Sequence, residues 1–197
     1  MRTNSLKHSL KSGKIAFGTM MFEFNTTGIG RAAANAGAEF AVYDMEHTGW
    51  SVETIRMLLA TTRCTELVPI VSVPAADYHF IARVLDMGTL GVMVPMVESE
   101  AQARQIVAAA KYPPLGRRGA AFGVAHDDYL GTDIPGTVRS ANEESLLIAQ
   151  IETAAGLENL DAIASVAEID VLWIGLYDLC NSLGLPGQFD HPEIIAA

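Results

Sequence analysis

The sequence predicts an α/β protein whose strands run parallel in one sheet or barrel. Three observations carry that expectation: short runs that are apolar at nearly every position, longer stretches of helical spacing between them, and a regular interval from run to run. The runs are IAFGTMM (15–21), FAVYDME (40–46), VPIVSVP (68–74), GVMVPMV (91–97), LLIAQIE (146–152) and VLWIGLY (171–177). Because they do not alternate apolar with polar, they read as strands covered on both faces, the habit of parallel sheets. Their starts fall about 23 to 28 residues apart where no insertion intervenes, which suits one strand plus one crossover helix.

The opening MRTNSLKHSLKSGK mixes basic and polar residues and lacks the apolar centre of a secretory signal. After the first run, TTGIGRAAANAG places Ile29, Ala33 and Ala36 near one face and stops at Gly37, a residue suited to ending a helix. SVETIRMLLATTR follows the second run with Ser51 as its predicted N-cap. ADYHFIARVLDMG, SEAQARQIVAAAKY and TAAGLENLDAIASVAE repeat the arrangement. One interval breaks the rhythm: residues 112–144, rich in Gly, Pro and charge, are predicted to form a long active-site loop or lid. With no linker or low-complexity tract, residues 1–197 read as a single domain.

Composition narrows the function. Half of the residues are hydrophobic and 18% are charged, a globular balance. Thirteen basic against 23 acidic residues leave a net charge of -10, which repels phosphate backbones and excludes a nucleic-acid partner. No run approaches the ~18 apolar residues of a membrane span. Cys64 and Cys180 lie far apart without a zinc or redox spacing. A soluble cytoplasmic protein is the expectation.

In βα proteins the carboxyl ends of the strands share one mouth, and ligands bind there. The polar residues at those ends are Asp44, Glu46 and His47 after the second run, Ser72 in the third, Gln150 and Glu152 at the fifth, and Asp178 after the sixth. Glu152 and Asp178 stand one βα unit apart, so adjacent strands bring two carboxylates to one rim. Two oxygen ligands, with other positions left to water and substrate, suit Mg²⁺ or Mn²⁺ better than a closed zinc site.

DMEH (44–47), VLDMG (84–88), VPMVE (94–98), YPPLGRRG (112–119), AQIET (149–153) and IGLYDLCNSLG (174–184) together resemble, in order, the motifs of the HpcH/HpaI aldolases, which are class II, pyruvate-dependent enzymes. The likeness spans nearly the whole chain. It implies a TIM-type (β/α)8 barrel, a divalent metal (Mg²⁺, Mn²⁺ or Co²⁺), and cleavage of 4-hydroxy-2-oxo acids to pyruvate and an aldehyde. By motif position, Glu152 and Asp178 resemble the metal ligands and His47 the base. Asp86 resembles the carboxylate that raises the basicity of His47. Gln150, Tyr177, Asp178 and Ser72 match positions that hold the small 2-oxo acid.

Each residue also has a plainer reading. His47 could cap a strand end, Glu152 could be a solvated carboxylate at a helix start, and Asp86 could be a surface carboxylate closing a helix. The chain also departs from the family pattern. Ser72 stands where the family commonly has arginine, and Leu176 and Tyr177 replace a proline and a small residue. Only six strands are countable, two fewer than the resembled barrel, and such unpaired edges invite association, so a homo-oligomer is expected. An oxo-acid decarboxylase, a CoA-thioester lyase and a non-catalytic relative are the alternatives.

Overall fold

The computed structural model describes residues 2–197. Six strands form one parallel sheet in sequential order: β1 (Gly18–Met21), β2 (Phe40–Asp44), β3 (Val68–Ser72), β4 (Gly91–Val94), β5 (Leu146–Ile151) and β6 (Val171–Ile174). Each of the six apolar runs thus holds a strand shorter than the run: in β1 the first residues, and in the other five the last, lie outside the ladder. The helices are α1 (Ser5–Lys11), α2 (Ile29–Asn35), α3 (Val52–Thr62), α4 (Tyr78–Asp86), α5 (Glu100–Ala110), α6 (Ile134–Glu144), α7 (Ala154–Glu158), α8 (Leu160–Ala164), α9 (Leu176–Ser182) and α10 (Pro192–Ala196).

Sequential parallel strands need crossovers of one hand, so the connecting helices cover one face of the sheet. That face carries Ala41, Tyr43, Val71, Val92, Leu147, Ala149 and Ile151, packed against α3, α4 and α5 through Leu58, Ile81 and Ile106. Alternate residues point the other way, because the side-chain period of a strand is two. Val42, Val68, Ile70, Met93, Leu146 and Ile148 make a second apolar cluster inside the curl of the sheet.

The floor of that inner cluster is α1, a helix absent from the sequence reading. Asn4 caps it by accepting from Lys7 N at 3.1 Å, and donates through Nδ2 to Leu90 O and Glu144 O, both at 2.8 Å. Leu6 is buried in the inner cluster and Leu10 packs on its edge. The Lys7 ammonium bonds Ser145 O at 2.8 Å and the Asp170 carboxylate at 2.9 Å. The predicted lid is also more ordered than expected. Residues 112–124 are irregular, Ala125–Asp127 form a 3-10 turn, and α6 then starts at the N-cap Asp133. Ser51 caps α3 as predicted, accepting from Thr54 N at 3.3 Å, and Gly37 ends α2 with a φ of 96°.

The expected eight-stranded barrel is present here as a curled six-stranded sheet with free edges at β1 and β6. No helix among the described residues is long and apolar enough to cross a membrane. Leu6→Ala is expected to cost about 2 to 4 kcal/mol, since it opens a void between α1 and the inner face. A urea titration followed by circular dichroism checks this, and an unchanged midpoint would mean that α1 contributes nothing to the floor.

Candidate active site

Three inner-face positions at the carboxyl ends are polar: Asp44, Ser72 and Gln150, all buried. They continue the rows that begin with Val42, Ile70 and Ile148, and Asp44 is the register partner of Ser72. Asp44 shapes the turn that follows β2. Its Oδ2 accepts from His47 N at 2.8 Å, and Thr48 Oγ1 donates to its carbonyl at 2.6 Å. The imidazole of His47 is thereby held out over the rim, 58% exposed, with Nε2 3.8 Å from Glu46 Oε2.

Glu152 is held tightly at the mouth, with only 1% of its surface exposed. Its Oε1 accepts from Met96 N at 2.7 Å, and its Oε2 accepts from the Gln150 amide. Met96 reaches that position only because its backbone is left-handed, with φ 55°, a conformation that costs a non-glycine residue roughly 1 to 2 kcal/mol. On the other side the chain leaves β6 through Gly175. A Cβ there would overlap Glu152 Oε2 and stand 2.7 Å from Glu152 Cβ, so only glycine allows this approach. Gly175 N bonds Ile151 O at 3.0 Å, and Asp178 follows in the first turn of α9, partly buried.

The electrostatics tie these groups together. Burial is the larger cause that pushes Glu46 up to about 7, and the negative charge of Glu152 is the next. Asp44 and Asp178 act in the same sense, and His47 opposes them. Acidic groups from the ends of β2, β5 and β6 therefore share one field, short of positive charge. A cation bound there would meet oxygen donors, which fits a hard divalent ion. No group of three or more His, Cys, Asp or Glu among the described residues is gathered to hold a metal ion alone. Asp44 Oδ1, Ser72 Oγ and Gln150 Oε1 are buried polar atoms without a protein partner, a state that costs about 1 to 3 kcal/mol each.

Asp86 and Tyr177, also named from the sequence, have partners of their own. Asp86 ends α4, which runs back from the mouth toward the start of β4, and its carboxylate bonds Arg118 Nη2 at 2.6 Å. Tyr177 is 74% exposed and packs edge-on against Phe189, ring centroids 5.0 Å apart. Lys7 and Lys111 both bond Ser145 O at the start of β5, the end of the sheet opposite the mouth. The sequence reading missed the roles of Met96 and Gly175, because a strained methionine and a close-packed glycine have no local signature. The VPMVE and IGLYD motifs containing them were the available signal.

Acidic groups from the ends of β2, β5 and β6, with an exposed imidazole beside Glu46, stand at the end of a parallel sheet where α/β proteins bind ligands. The family model described as HpcH/HpaI aldolase/citrate lyase matches residues 19–197. The chain belongs to this family. It is 36% identical over 193 residues to a hydroxypyruvate/pyruvate aldolase of Roseobacter denitrificans, covering 98% of this chain and 75% of that one. With a 2-keto-3-deoxy-L-rhamnonate aldolase of Salmonella gallinarum the identity is 35%, covering 98% and 71%. The crystal structure of an HpcH/HpaI aldolase from Desulfitobacterium hafniense superimposes with a TM-score of 0.92 at 34% identity, over 97% of this chain and 73% of that one. The chain is thus a lyase of the aldolase type.

The raised Glu46 gives a pH test with a definite sign. Between about 4.5 and 7 the unfolded chain has released this proton while the folded chain keeps it, so this group's contribution to stability falls as pH rises through that window. Above the window the cost is constant, about 1 to 3 kcal/mol. Glu46→Gln is expected to be more stable than the unsubstituted protein by that amount at pH 8 and nearly equal to it at pH 4.5, read from urea unfolding at both values.

Proposed function

We propose that this chain cleaves and forms the C3–C4 bond of 4-hydroxy-2-oxo acids, with pyruvate as the retained product and an aldehyde as the other, in a divalent-metal-dependent reaction. The observation that carries this reading is the clamped Glu152 carboxylate, which shares its field with Asp178 and Glu46. The curled sheet is read as six strands of a (β/α)8 barrel, and residues 1–197 as one domain.

Glu152 and Asp178 would hold the cation, Mg²⁺ or Mn²⁺ by their oxygen chemistry. When bound, such an ion supplies Lewis acidity toward the 2-oxo acid. The protein's own groups do the rest. His47 takes the proton of the C4 hydroxyl, and the hydroxyl oxygen becomes the aldehyde carbonyl. The electron pair of the C3–C4 bond passes to C3, giving the enolate of pyruvate, and protonation at C3 completes the reaction. Glu46 Oε2 stands 3.8 Å from Nε2 of the imidazole that takes this proton. The Gln150 amide both steadies Glu152 and leaves Oε1 facing the inner wall, where Ser72 takes the place of the family's charged arginine. Ser72 donates one neutral hydrogen bond, so the barrier is expected to sit about 3 kcal/mol above that of an arginine-bearing relative.

The coupled assay follows pyruvate released from a 4-hydroxy-2-oxo acid in the presence of Mn²⁺. Glu152→Gln is expected to lower kcat more than about a hundredfold. Gly175→Ala should weaken Mn²⁺ binding about tenfold or more by calorimetry, because the new methyl displaces the Glu152 carboxylate. Full activity in Glu152→Gln would remove the metal assignment.

A further inference from the structure

Between the ends of β2, β3 and β4 lies a cleft of about 230 Å³. Its walls are Pro74, Ala75 and Ala76 after β3 and Pro95, Met96 and Val97 after β4. It opens directly beside the carboxylate field, since Met96 also binds Glu152 through its N–H and Glu46 forms part of the lining. The lining contains no Lys, Arg or His. Its other polar residue, Gln102, is neutral and has Oε1 engaged by Glu98 N at 2.8 Å and Ser99 Oγ at 3.3 Å, which leaves the amide NH₂ as its donor.

These features discriminate among substituents. A carboxylate or phosphate tail would meet Glu46 and no countercharge, and a desolvated anion without a partner is strongly disfavoured. A polyol would set several hydroxyls against Pro, Ala, Met and Val side chains with a single donor in reach. An aliphatic chain loses nothing there and sheds its apolar surface from water. Resting on the aldolase reading above, we infer that this cleft is the subsite for the aldehyde's substituent and takes an uncharged, chiefly aliphatic chain. At about 30 Å³ per water-sized group the space holds about seven such groups, so chains of about two to six carbons fit.

The test runs the reaction toward bond formation, with pyruvate, Mn²⁺ and a panel of propanal, butanal, glyceraldehyde and succinic semialdehyde. The expected kcat/KM for butanal exceeds that for succinic semialdehyde by at least about tenfold. Ala76 is exposed at the lip of the cleft, so Ala76→Arg should shift that ratio toward the semialdehyde by a similar factor. A preference for the carboxylated or polyhydroxylated aldehyde in the unsubstituted protein overturns the inference and leaves the aldolase reading standing. A protein inactive with every aldehyde defeats that reading instead, and the ligand class of the cleft is then decided by binding. In a sample labelled at the methionine methyls, with the Met96 signal assigned from Met96→Leu, butyramide should shift that signal while equal concentrations of succinate and glycerol do not. The reverse order contradicts the inference.

Discussion

The arrangement at the mouth depends on holding one carboxylate in place where water barely reaches it. Glu152 lies at the end of the longest strand, almost fully buried, where a polar group without partners is costly. Two hydrogen bonds hold it in place, one from the strained Met96 backbone and one from Gln150. A glycine on the next turn makes room for it. The left-handed φ at Met96 is a local cost that an unconstrained loop would relieve. It persists because the N–H of the same residue compensates a buried charge.

The fold supplies that constraint from several directions at once. Parallel pairing in sequential order brings the ends of β2 through β6 to a single rim, so residues far apart in the chain meet without any long loop. The inner face is apolar below and polar above, changing at the level of Asp44, Ser72 and Gln150. Below that level α1 seals the floor, and its two buried polar anchors, Asn4 and Lys7, take up carbonyls at the amino ends of the strands. Rigidity is therefore concentrated under the site, and the reactive groups stand on strand ends, where they hold their geometry better than on free loops.

Much of this was legible in the sequence. All six strands follow from uninterrupted apolar runs, and the caps at Ser51 and Gly37 follow from side-chain chemistry and backbone freedom. The helix α1 was missed although Leu6 and Leu10 stand four apart behind Asn4, because two leucines among charged residues carry too weak a periodicity to outweigh a polar composition. The helix α6 was missed because IPGTVRSANEE has little apolar periodicity, and its cap depends on Asp133 inside a stretch dense in Gly and Pro. For the site, residue types at strand ends were enough to nominate Glu152, Asp178 and His47. The contacts of these side chains were not readable: Asp86 is named by motif alone, and the structure adds its bond to Arg118 and the nearness of Glu46 to the imidazole. Such pairings depend on where α4 points, and that is a property of packing.

The most direct measurement is a crystal structure of the protein with Mn²⁺ and pyruvate, read for anomalous density at the rim. One peak touching both the Glu152 and Asp178 carboxylates, with pyruvate on it and His47 facing across, is the expected result. A peak bound elsewhere, or carboxylates turned to opposite sides of the molecule around an empty rim, would contradict it.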